Sequence, residues 1–226
     1  LESHGRAELF DDIDLGRTVG WFTSLHTAAL SLPDSDDPGA VIKAVKEQLR
    51  RVPHEGLACG LLRQAGEAIP QGEILFNYLG QFDQTASKEE GFRLACEGTG
   101  RSVSLSGGRD HLIGINGLTM HGCLSLTFDW SGEQFRDTTI EKLVSLYEQH
   151  LRRLITHCRE HYGRTPSDFP LVRLDQERVD QLVGIYGKNI EAMYPLSPMQ
   201  QGMLFHSLYE QGAYTTQTVL RLEGID

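Results

Sequence analysis

Between Met120 and Cys158 this 226-residue chain changes its hydrophobic period once, and that change limits what it can fold into. From Gly122 to Phe128, Gly122, Leu124, Leu126 and Phe128 alternate with Cys123, Ser125 and Thr127, the period of two that gives a strand one apolar face. A few residues on, Ile140, Leu143, Val144, Tyr147, Leu151, Leu154, Ile155 and Cys158 recur at helical spacing behind Thr138-Thr139-Ile140-Glu141, which reads as a capping box. Each element has one face that water disfavours. Strands mixed with long one-sided helices imply an α/β sandwich, a mixed sheet packed against helices.

Other segments repeat the two periods. Asp37 is suited to cap a helix whose first residue is Pro38, with Val41, Val45, Leu49 and Val52 as its apolar stripe and Pro53 as its stop. A shorter helix is expected from Gln176 to Tyr186, ending at Gly187. A fourth opens at Ser197-Pro198-Met199-Gln200, where Ser caps and Gln reaches back. Strand-like runs cover Thr18 to Leu25, Glu73 to Leu79, Phe92 to Cys96, His111 to Leu118, Met120 to Trp130 and Thr216 to Leu222. The Gly, Pro and Asp residues from His161 to Pro170 read as an exit into a linker. Leu1 is not an initiator methionine, and the last strand-like run has nothing after it to pair with, so a segment of a longer polypeptide is expected.

Composition removes several function classes. A net charge of −10 without clusters of Lys and Arg is the wrong sign for nucleic acid. No stretch approaches the roughly 20 apolar residues of a membrane span, and the first residues are not a signal-peptide core, so a cytoplasmic location is expected. Cys59, Cys96, Cys123 and Cys158 form no C-x-x-C pair and read as buried reduced thiols. His157 and His161 have the i, i+4 spacing of a metal site, yet with His150 they flank the apolar stripe outside any H-E-x-x-H pattern, so a solvated helix edge is the expectation. The glycines of Ser106-Gly107-Gly108-Arg109-Asp110 lack the lysine of a phosphate loop and read as a hairpin turn.

Four short motifs carry more information. Leu1-Glu2-Ser3-His4-Gly5-Arg6 resembles E-G-H-G-R-E; Arg17-Thr18-Val19-Gly20-Trp21-Phe22-Thr23 matches R-T-V-G-W-F-T without a gap. Pro53-His54-Glu55-Gly56-Leu57-Ala58-Cys59-Gly60 is a degenerate P-x-x-G-x-G-Y-G, and Phe76-Asn77-Tyr78-Leu79-Gly80-Gln81 matches F-N-Y-L-G-Q. In this order they resemble the epimerization domains of nonribosomal peptide synthetases, over about residues 1 to 165. Departures from the family pattern are Ser3, Ala7, Leu57-Ala58-Cys59, and Ser24-Leu25-His26-Thr27 in place of a Tyr-Pro continuation. From Tyr194 to His206, Tyr-Pro-Leu-Ser-Pro-Met-Gln-Gln-Gly-Met-Leu-Phe-His resembles the opening of a condensation domain.

The resemblance implies a C-terminal lobe of a chloramphenicol-acetyltransferase-like two-lobed fold over residues 1–165. A linker over 166–193 and the start of a following condensation domain over 194–226 come after it. It implies epimerization at Cα, from L to D, of an aminoacyl or peptidyl thioester carried on the phosphopantetheine of a peptidyl carrier protein, with no cofactor bound directly. Inverting Cα calls for two acid/base groups on opposite faces and dipoles or cations for the enolate-like oxygen. One would be a histidine of the H-H-x-x-x-D-G motif, which belongs to the N-terminal lobe and is absent from these residues; the other would be Glu2. Arg17 would orient a carboxylate or stabilise negative charge, and Asn77 and Tyr78 would orient the thioester or its enolate. Trp21 and Phe22 are expected in the core. The implied partners are the carrier protein, the N-terminal lobe and the downstream condensation domain, and these residues alone are expected to be inactive. Two rival readings are an amide-forming condensation lobe and a non-catalytic docking lobe.

Overall fold

A computed structural model describes residues 1–6, 11–81, 100, 104, 107–210 and 217–221. The chain divides into two compact units, Leu1–Tyr162 and Gly163–Asp226.

Among the described residues the first unit holds five strands and three α-helices: β1 (Glu2–Ser3), β2 (Ser24–Leu25), α1 (Pro38–Arg50), α2 (Ala58–Gln64), β3 (Ile74–Gln81), β4 (Ile113–Met120), β5 (Cys123–Trp130) and α3 (Asp137–Glu160). Strands β3, β4 and β5 form one mixed sheet in that order. β3 runs parallel to β4, and β4 antiparallel to β5. The β4–β5 hairpin closes through His121 and Gly122, at φ 52° and 71°, the two left-handed positions that a two-residue turn with the sheet's own twist requires.

Alternation along the strands fixes the core. Ile113 and Ile115 of β4 pack with Ile140 of α3, and Phe76, Phe128, Trp130 and Val144 close around them. Phe128 meets Tyr147 edge to face at 5.6 Å between centroids. The helix therefore presents Ile140, Val144, Tyr147, Leu151 and Leu154 inward, while Leu143, Ile155 and Cys158 are exposed. α1 meets α3 at Gly39, where an added Cβ would lie 2.8 Å from His157 Nε2. Asp37 caps α1 by accepting from the Ala40 amide at 2.9 Å, as its sequence implies.

Several expectations change. α3 starts at Asp137 with Arg136 as its cap and no side-chain cap bond, so the Thr138 box is not used. Only Ser24–Leu25 of the run from Thr18 is strand; Val19 and Trp21 are 100% and 89% exposed, so Trp21 is not core, and Phe22 is half-buried. α2 occupies a stretch in which no helix was expected. Gly107–Asp110 leads into a strand that pairs parallel with β3, so no hairpin joins β3 to β4 there; Ser106 lies outside the described residues. Cys59 is half-buried and Cys123 and Cys158 are exposed; Cys96 and the Phe92–Cys96 run lie outside the described residues.

The second unit carries α4 (Gln176–Tyr186), capped by Asp175 and ending at Gly187 with φ 60°, and α5 (Pro198–Tyr209). Ser197 and Gln200 form the expected reciprocal box, at 3.3 and 2.9 Å. Val179 and Phe169 are buried, whereas Met199, Met203, Leu204, Phe205 and Leu208 on α5 are exposed. Residues 217–221 are not strand. No described helix is long and apolar enough to cross a membrane.

Candidate active site

The two-residue strand β1 carries Glu2. It pairs with β2 in the register Glu2↔Leu25 and Ser3↔Ser24, and its Cα atoms approach within 8 Å of those of β3. The ladder continues one pair further: the Leu1 nitrogen donates to the His26 carbonyl at 2.9 Å, and the His26 amide donates to the Leu1 carbonyl at 3.0 Å. Below the pair, the Ser3 and Ser24 hydroxyls meet at 2.7 Å. Glu2 itself is half-buried, and its carboxylate has no hydrogen bond or ion pair among the described residues.

Two glycines let the backbone pack tightly around this ribbon. Gly5, at φ 64°, sits so close to the chain at Phe22 that any Cβ would collide with the Phe22 carbonyl oxygen. Gly56, at φ 78°, lies against the His26 ring, and a Cβ there would strike Cγ and Nδ1. The His26 Nδ1 is buried without a hydrogen-bond partner among the described residues. Burial holds the His26 pKa below its ordinary value, and Glu55 opposes it.

Arg17 lies on the turn from Leu15 to Thr18, exposed and without a hydrogen bond or ion pair among the described residues; it is not paired with Glu2. Arg6 fixes that turn. Its guanidinium donates to the Leu15 carbonyl at 2.6 Å and the Thr18 carbonyl at 2.8 Å, and stacks 4.2 Å from the centre of the Phe22 ring. The sequence motif contained Arg6 without revealing this, because the bonded groups are backbone carbonyls.

Asn77 and Tyr78 are adjacent on β3 and so face opposite sides of the sheet. Tyr78 pairs with Gly117 on the face that Phe76 shares with the core, and Asn77 pairs with Asn116 on the other. Their side chains are therefore separated by the sheet. The Tyr78 hydroxyl lies 2.9 Å from the Thr119 hydroxyl. Between the ribbon and the start of β3, a cleft of about 580 Å³ is lined by Leu1, Leu25, His26, Arg63, Phe76 and His111 among others. The rings of His157 and His161 stack at 4.5 Å, and no group of three or more His, Cys, Asp or Glu side chains among the described residues is placed to hold a metal ion.

Comparison with known proteins adds the family context. A family model described as "Condensation domain" matches residues 1–168. One component of the linear gramicidin synthase of Brevibacillus parabrevis is 44% identical over 239 residues, spanning 100% of this chain and 3% of that protein. Chondramide synthase cmdD from Chondromyces crocatus is 42% identical over 217 residues, 92% of this chain and 6% of its own length. The chain thus spans only a few per cent of these relatives. Among solved structures, the epimerization domain from the third module of tyrocidine synthetase B superposes with a TM-score of 0.60 at 32% identity, over 70% of this chain and 36% of that one.

Proposed function

Because the chain belongs to the condensation domain family, we propose that residues 1–165 are the C-terminal lobe of an epimerization domain that inverts a carrier-bound aminoacyl or peptidyl thioester from L to D. The observation that carries this reading over amide formation is the pair of intact motifs, Arg17–Thr23 and Phe76–Gln81, in a chain that superposes on a solved epimerization domain. Residues 166–193 are then a linker and 194–226 the start of a following condensation domain, consistent with an α5 whose apolar side chains are exposed.

In this reading Glu2 is one of the two acid/base groups, serving one face of Cα, and the opposing group comes from the N-terminal lobe. The ribbon supports it, since β1 brings the half-buried residue Glu2 near β3. Removing the Cα proton leaves negative charge on the thioester oxygen, and Tyr78 or Arg17 would stabilise it. Asn77, on the other face of β3, would orient the carried chain from its own side. The partner is a carrier protein presenting its phosphopantetheine arm, and residues 1–226 alone would not turn over.

The test is a complete domain incubated with carrier protein loaded with an L-aminoacyl thioester, scored for D product and for amide product. D product that falls about 10²–10⁴-fold in Glu2→Gln supports the assignment. Amide formation without epimerization would establish the condensation reading instead, and wild-type epimerization by Glu2→Gln would remove Glu2 from the chemistry.

A further inference from the structure

Tyr78 is half-exposed, and a half-exposed phenol has no reason to stay in one place unless something holds it. Two residues of β4 do. The Tyr78 hydroxyl lies 2.9 Å from the Thr119 hydroxyl. Gly117, its register partner, leaves the ring its space: a Cβ there would lie 3.3 Å from Tyr78 Cδ2 and 2.8 Å from Leu126 Cδ2. Just beyond, the register shifts between Tyr78 and Gln81, with Gly80 at φ 90°, so that Gln81 pairs with Thr119. Bulges of this kind commonly re-aim a neighbouring side chain.

We propose that Thr119 is a positioning residue for Tyr78, holding the phenol where its O–H can donate a hydrogen bond to the thioester oxygen, with Gly117 supplying the room. This rests on the reading above that Tyr78 meets the substrate. A threonine hydroxyl both donates and accepts. When the phenol turns its single proton toward a developing oxyanion, Thr119 Oγ1 donates its own to the phenol oxygen, which keeps that oxygen partnered and polarises the chain toward the substrate. Free of Thr119, the ring swings about two torsions, and the donor leaves the 2.7–3.1 Å range that oxyanion stabilisation demands.

The experiment uses the complete domain and four variants: Thr119→Val, Thr119→Ser, Tyr78→Phe and the double variant Thr119→Val/Tyr78→Phe. Losing one neutral hydrogen bond predicts a fall in kcat for Thr119→Val of about 3- to 10-fold with KM unchanged, and recovery in Thr119→Ser. Thr119→Val should add nothing in the Tyr78→Phe background, because its effect passes through the phenol. Independently of turnover, the ¹³Cζ resonance of Tyr78, assigned by its loss in Tyr78→Phe, should move in Thr119→Val and return in Thr119→Ser. An unmoved resonance, or a Thr119→Val effect undiminished without the phenol, overturns the positioning role. If the resonance moves as expected but Tyr78→Phe epimerizes at the wild-type rate, the contact stands while Tyr78 is excluded from the chemistry, and the positioning role falls for that separate reason.

Discussion

The sheet β3–β4–β5 and the ribbon β1–β2 differ first in length, eight residues per strand against two. The sheet buries Ile113 and Ile115 beneath Ile140, and an unbroken register from Ile113 to Met120 ties β4 to β5. The ribbon has no such core. It is held by a few backbone bonds, a serine pair and two glycines that permit close approach. Stability is therefore concentrated in one part of the unit and the proposed acid/base group in another, as expected when a site is drawn from the less stable end of a structure.

The largest effect should come from the sheet. Ile140 is 2% exposed, and Ile140→Ala should cost about 2–5 kcal/mol in urea unfolding. At temperatures where the variant is folded, carrier-dependent activity should survive. Loss of activity in a fully folded Ile140→Ala domain would break the division between scaffold and site.

Next is Gly5→Ala, which places a Cβ against the Phe22 carbonyl at a positive φ and should cost about 1–3 kcal/mol. Amide exchange should accelerate at His26, whose N–H bonds Leu1, and leave the β4–β5 amides unchanged. Equal acceleration in both places would mean that ribbon and sheet open as one.

A smaller effect concerns pH. The folded-state pKa of His26 lies below the ordinary 6.5, first because of burial, so between the two values the unfolded chain binds the proton more readily. Its contribution to ribbon stability is complete above 6.5 and is lost as pH falls below it. Exchange at the His26 amide, corrected for intrinsic rates, should rise on acidification, and His26→Phe should flatten that rise. The side chain that faces the ring electrostatically is Glu55, and Glu55→Gln should steepen the loss because Glu55 favours the protonated form.

The smallest effect should be on the solvated side of α3, where Arg152 donates to Glu148 at 2.7 Å with both side chains exposed. Glu148→Gln should change stability by only about 0.3–0.5 kcal/mol and vanish in high salt. A larger change would show that the scaffold depends on its surface as well as its core.

Much of the scaffold was legible because periodicity and caps are local. Asp37-Pro38, Ser197-Pro198-Met199-Gln200 and the span Gln176 to Tyr186 each specify a helix within a few residues. What failed depended on distant partners. Val19 and Trp21 have strand propensity but find no neighbouring strand among the described residues, so within that run only Ser24 and Leu25 pair. Ala58–Gln64 has no side-chain cap bond and no buried residue, and so offered no signal to read. Glu2, Arg17, Asn77 and Tyr78 were legible as motif residues, but the opposite facing of Asn77 and Tyr78 follows only once the strand is assigned. Thr119 and Arg6 act through an inter-strand hydroxyl pair and backbone carbonyls, contacts no short motif encodes.

The His121–Gly122 turn also bears on the order in which the unit assembles. With only two residues between them, β4 and β5 can zip together in about 1–10 μs, with almost no chain to close. β3 must instead join β4 in parallel across everything between Gln81 and Ile113, a slower closure that repays its entropy only once β4 is in place. The hairpin is thus the template and β3 the late arrival, so the partly folded chain would present an unpaired β4 edge to any other strand nearby.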